Sequence, residues 1–70
     1  MVMGMKMYDY YIGTALVTRD YMANYLVSML GGSPENVIRQ YEDATTQYCL
    51  QTGYNLYYNA SLNISIRKYY

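Results

Sequence analysis

The side chains that most often do chemistry are scarce in this sequence. The 70-residue chain has no His and a single Cys. Without His, the commonest general acid/base and metal ligand is missing, and neither a Ser-His-Asp nor a Cys-His site can be assembled within the chain. One thiol makes neither an intrachain disulfide nor a thiolate zinc site, so Cys49 reads as a core residue. The adjacent acids Glu42 and Asp43 would point about 100° apart on a helix. They do not converge as an acid/base pair and read as a solvated helix face. Gly31-Gly32-Ser33 could turn backbone N–H groups toward an anion at a helix start, but no strand precedes it and no Lys completes a phosphate loop. It reads as a joint between helices. Asn59-Ala60-Ser61 and Asn63-Ile64-Ser65 fit the N-glycosylation pattern and read as polar fillers on a strand. No catalytic residue, cofactor site or metal site is expected.

The chemistry left is recognition. All aromatic content, 17% of the chain, is Tyr: twelve residues, with no Phe or Trp. Tyr brings large contact area at low entropic cost together with one hydroxyl, which is why interfaces are rich in it. Some of the twelve must stand in for Phe in the core. Tyr25, Tyr41 and Tyr48 fall on helical stripes, and Tyr54 and Tyr58 fall on the apolar side of a strand pattern; these five are the expected core tyrosines. Tyr10, Tyr11, Tyr57, Tyr69 and Tyr70 have no packing duty of this kind. Together with Asn55, Asn59 and Arg67 they form the expected partner-binding set. Tyr57, Tyr69 and Tyr70 beside Arg67-Lys68 could also stack single-stranded bases on a basic edge. Five Lys+Arg balance five Asp+Glu, however, and two adjacent cations make a small electrostatic footprint, so nucleic acid is not the expected partner.

Helix and strand signals place these residues. Thr18 suits an N-cap, and Met22, Tyr25, Leu26, Met29 and Leu30 then repeat at helical spacing until Gly31-Gly32 stops the run. Ser33-Pro34-Glu35 opens a second helix, with stripe Val37, Ile38, Tyr41 and then Ala44 and Tyr48. This helix is expected to reach about residue 50, with Gly53 just beyond; a strand at 46–51 is the alternative. From Tyr54 to Arg67 apolar and polar residues alternate, with Tyr54, Leu56, Tyr58, Ala60, Leu62, Ile64 and Ile66 on one side. That is a long or bulged strand, or else a hairpin, in which the loop length decides whether the alternation keeps its parity. Met5 to Val17 fits a helix with stripe Tyr8, Tyr11, Ile12, Ala15 and Leu16, but Gly13-Thr14 argue against it and its Tyr, Ile, Val and Thr favour the strand beside it, with Tyr8, Tyr10, Ile12 and Leu16 on one side. The expected fold is a single α+β domain over residues 1–70, β-α-α-β in order. Its sheet is antiparallel with the first and last strands adjacent, its two short helices pack on one face, and residues 1–5 form an irregular lead-in.

A core this small yields only a few kcal/mol without disulfides or metals. Zero net charge leaves self-association unopposed. A homodimer or bound protein partner is therefore expected to complete the burial. The start of the sequence does not read as a signal peptide, and the uncharged stretch 44–66 is too polar for hydrocarbon, so no membrane is expected and the compartment reads as cytoplasmic. The expected function is a non-enzymatic protein-binding module that occludes a partner's surface. Small chains lacking a catalytic set are typical of inhibitors carried by viruses and mobile elements, anti-CRISPR proteins among them, an analogy of size and composition alone. The alternatives are a single-strand nucleic-acid or DNA-binding regulator and a structural subunit that assembles through strand edges, since an uncharged β-prone stretch favours edge pairing.

Overall fold

A computed structural model describes residues 7–69; the expected lead-in at 1–5 and Tyr70 lie outside the described residues. The order of elements is β1 (Tyr8–Ile12), β2 (Ala15–Val17), α1 (Arg19–Leu30), α2 (Pro34–Thr52), β3 (Leu56–Asn59) and β4 (Ile64–Lys68). The strands make one antiparallel sheet in the order β2-β1-β4-β3. The α+β class, the pairing of first with last strand segment, and the helix pair on one face are as the sequence predicts. Each of the two long strand segments, however, is folded into a hairpin.

The helices begin and end where local chemistry dictates. Thr18 Oγ1 accepts the Tyr21 N–H at 3.0 Å and Ser33 Oγ accepts that of Asn36 at 3.4 Å, each satisfying an amide that the first helical turn leaves without a partner. Pro34 occupies the first turn of α2, and Gly53 closes the helix in the left-handed conformation, its N–H on the Cys49 carbonyl. Residues 46–51 are thus helix, not strand. Between the helices, Gly31 and Gly32 both take positive φ (82° and 87°), the region that a side chain disfavours.

Loop length sets which face of the sheet each residue occupies. Gly13-Thr14 is a two-residue turn with positive φ at Gly13 (59°), so Ile12 pairs with Ala15 and parity inverts across it. Val17 and Ala15 therefore share the face of Tyr10 and Ile12, and Leu16 joins Tyr11 on the other. Residues 60–63 form a four-residue connection that pairs Asn59 with Ile64 and inverts parity again. Tyr57 and Asn59 consequently share the face of Ile66 and Ile64, while Leu56 and Tyr58 point to the opposite side.

The helices cover the face that carries Tyr10, Ile64 and Ile66. These pack with Met22, Ala23, Leu26, Val37, Ile38 and Leu62 into one core, against which Tyr8, Ile12, Val17, Tyr25, Val27 and Tyr41 also lie. Full burial of an aliphatic side chain is worth about 1.5–3 kcal/mol, so Ile38, Ile64 and Ile66 are among its main supports. The stripe of α2 is rotated from the expected one. Thr45 and Cys49 are buried, whereas Ala44 and Tyr48 are exposed. Thr45 tolerates burial because its hydroxyl donates to the Tyr41 carbonyl at 2.7 Å. In α1 the expected stripe holds through Met22 and Leu26, but Met29 and Leu30 are exposed.

Candidate functional site

The sheet has one covered face and one without helices, and the second is the candidate site. Strand register builds it row by row. One row crosses all four strands as Leu16, Tyr11, Ser65 and Tyr58. The next holds Asp9, Arg67 and Leu56. Beyond it the Tyr69 N–H bonds the Met7 carbonyl at 2.9 Å, which brings Met7 and Tyr69 side by side. Exposure is high at its edges: Leu16 is 59% exposed, Tyr58 62%, Met7 51% and Tyr69 43%. Its centre carries one acid and one base in adjacent register, Asp9 and Arg67. The Tyr69 hydroxyl donates to the Asp9 carboxylate. That bond, then partial burial, then the negative charge of Asp9 raise the Tyr69 phenol above its ordinary value. Asp9 itself is buried. The face is therefore apolar and aromatic around a central pair of charges.

Of the expected partner-binding residues, the structure brings Tyr11, Arg67 and Tyr69 together on this face. Tyr57 and Asn59 lie on the helix side: Asn59 Nδ2 donates to the Tyr57 hydroxyl at 3.2 Å, and the Tyr57 ring meets that of Tyr48 edge-on at 5.6 Å. The Asn59 side chain also accepts the Leu62 N–H, which shapes the β3–β4 connection. Asn55 is exposed at the entry to β3. Tyr10 is a core residue, 7% exposed, which corrects its assignment to the surface. Conversely, Tyr48, Tyr54 and Tyr58, expected in the core, are exposed, because both the α2 rotation and the parity inversion turn them outward. Leu16, Leu56 and Met7 are site residues that the sequence reading did not single out. The even-numbered turn at Gly13-Thr14 was the signal available for Leu16.

The covered face has its own polar seam. The Tyr10 hydroxyl donates to Glu42 Oε2 at 2.5 Å, and Arg19 grips the same carboxylate through Nε at 2.8 Å and Nη2 at 3.3 Å. Arg19 Nη1 also reaches Glu35 Oε1 at 3.1 Å, and Arg39 Nε reaches Glu35 Oε2 at 2.8 Å. Glu42 is thus not on a solvated face: its side chain is 13% exposed. Burial, then the bond to Glu42, push the Tyr10 phenol well above its ordinary value, and the two carboxylates hold Arg19 firmly protonated. The two arginines draw the Glu35 carboxyl below the usual carboxylate range. Each charge here is matched by a partner, and the seam ties β1, α1 and α2 together rather than presenting an open reactive group.

No family model, curated protein or solved structure matches the chain. Among the described residues no helix is long and apolar enough to cross a membrane, and no three His, Cys, Asp or Glu side chains are grouped to hold a metal ion.

Proposed function

We propose that this chain is a non-enzymatic protein-binding module, working as a homodimer, that acts by occluding the surface of a protein partner with the helix-free face of its sheet. One observation carries the reading: Leu16, Tyr11, Tyr58, Leu56, Met7 and Tyr69 gather on a sheet face that no helix or strand among the described residues covers. Four of these side chains, Leu16, Tyr58, Met7 and Tyr69, are exposed, and exposed apolar side chains grouped on one face are a common mark of an interaction site. Tyr, Met and Arg, which this face carries, are the residue types enriched in interfaces, and Asp9 beside Arg67 would set the register of a partner. The role as an inhibitor of viral or mobile-element type is an analogy of size and composition alone.

The test is affinity capture followed by identification of what is retained, comparing the natural chain with Leu16→Glu on the face and Tyr21→Glu on α1. Both positions are exposed, so each variant keeps its unfolding free energy within about 0.5 kcal/mol of the natural chain. Leu16→Glu is expected to lose the partner and Tyr21→Glu to keep it. A partner held equally by both variants contradicts the reading.

A second reading draws on the same face. Tyr11, Tyr58 and Tyr69 beside Arg67 form a flat aromatic platform of the kind that stacks single-stranded bases. Against it, the two adjacent cations part company. Lys68 sits on the helix side, its Nζ 4.7 Å from the centre of the Tyr8 ring, which leaves Arg67 as the cation of the described face. Titration with single-stranded oligonucleotides at about 20–50 mM salt, where phosphate contacts are strongest, separates the readings; saturable binding there supports the second.

A further inference from the structure

We infer that the homodimer forms through the edge of β3 that the described residues leave open, which pairs antiparallel with β3 of a second copy across a two-fold axis at Tyr57. The inference rests on the homodimer reading and adds where the copies meet. Along a strand, backbone groups alternate in direction. The Lys68 N–H bonds the Asn55 carbonyl at 2.8 Å, so Asn55, and with it Tyr57 and Asn59, face β4. Leu56 and Tyr58 therefore turn their N–H and C=O groups to the open edge. An antiparallel edge is complementary to its own two-fold copy, and setting Leu56 opposite Tyr58 of the partner satisfies both pairs with roughly four hydrogen bonds.

Three further observations favour a second copy. Edges that must stay single carry charge, Pro or a bulge, but residues 44–66 hold no charged residue and no Pro, so two copies meet without like-charge repulsion. The exposed aromatics crowd this edge: Tyr58 lies on β3, Tyr54 shortly before it, and Tyr48 on α2 against Tyr57. Tyr48, Tyr54 and Tyr58 are the tyrosines whose periodicity asks for burial and whose burial the single chain does not provide. In the paired edge, Leu56 and Tyr58 make aliphatic–aromatic cross-strand pairs on the helix-free side, and the two Tyr57 rings face one another on the helix side. The other edge does not compete. β2 has three residues and turns Leu16 alone outward before Thr18 caps α1. Assembly therefore closes at two copies, giving an eight-stranded sheet whose two helix-free faces merge and remain open to a partner.

Sedimentation velocity over a wide concentration range, on the natural chain and on Tyr58→Pro, tests this. Pro at position 58 removes an edge-facing N–H without taking a bond from the β3–β4 ladder. Tyr58→Ala, which keeps that N–H, separates the backbone effect from the loss of the ring. The natural chain is expected to dimerise and to stop at the dimer. Tyr58→Pro is expected to raise the dimer Kd by about 100-fold, for two lost hydrogen bonds and a displaced ring, and Tyr58→Ala to raise it less. Should Tyr58→Pro not fold, amide hydrogen exchange on the natural chain replaces it: Leu56 and Tyr58 amides become protected as concentration rises into the dimer range. A dimer that Tyr58→Pro leaves intact, or edge amides that exchange freely in the dimer, overturns the edge assignment while the homodimer stands. A chain that stays monomeric at every concentration overturns both.

Discussion

At the residue scale, Glu42 holds the covered side of the molecule in register. It receives the Tyr10 hydroxyl from β1 and the Arg19 guanidinium from α1 on a single carboxylate. Glu42→Gln weakens both bonds at once and is expected to cost about 2 kcal/mol in urea unfolding. The double variant with Tyr10→Phe is expected to cost less than the two single effects together, since the residues share one interaction. Alkaline pH probes the same contact. The Tyr10 phenol titrates at 10.0 in the unfolded chain and higher in the folded one. Its contribution is thus complete below pH 10 and is lost as pH rises toward the folded value. Tyr41 and Tyr69 are raised as well and act in the same direction. Stability should therefore fall above about pH 10, and Tyr10→Phe should flatten that limb in pH-dependent chemical unfolding. An unchanged slope in Tyr10→Phe counts against the assignment. This seam was barely legible in the sequence. Glu42 beside Asp43 looks like a solvated pair, and only its place four residues after Ile38 hints that it borders the core.

At the element scale, the helices were legible and the strands were only half so. Thr18, Gly31, Ser33-Pro34 and Gly53 act through local chemistry, and local chemistry can be read from sequence neighbours. The faces of the strands depend instead on turn parity. An unbroken alternation from Tyr54 to Arg67 describes one long strand as well as it describes two strands joined by an odd-numbered loop, and the chain uses a loop of four. That single count moves Tyr58 and Leu56 to the open side and Tyr57 to the covered one. Gly13 controls the equivalent inversion in the first hairpin. Its φ of 59° disfavours any Cβ, and one placed there would come within 3.4 Å of Asn63 Nδ2. Gly13→Ala is expected to cost about 1 kcal/mol by thermal or urea unfolding. A neutral result would show that the turn can take another form, and with it that the parity of β2 is not fixed by Gly13.

At the scale of the whole molecule, both helices among the described residues lie on one side of a four-stranded sheet, and neither covers the other side. A chain with zero net charge and twelve Tyr thereby acquires a directed surface: a polar seam and core beneath, and an aromatic, apolar plane above. The composition supplies many tyrosines but does not say which of them reach the open face. Tyr11, Tyr69 and Arg67 reach the open face; Leu16, Leu56 and Tyr58 join them because of the hairpin turns. Oxidative footprinting read by mass spectrometry shows whether a partner seats on this face, with the free chain compared against its complex with the captured partner. Leu16 and Tyr69 are expected to react readily in the free chain and to become protected in the complex, while Tyr21 on α1 stays reactive in both. Protection of Tyr21, with Leu16 and Tyr69 still reactive, would place the partner on the helices instead.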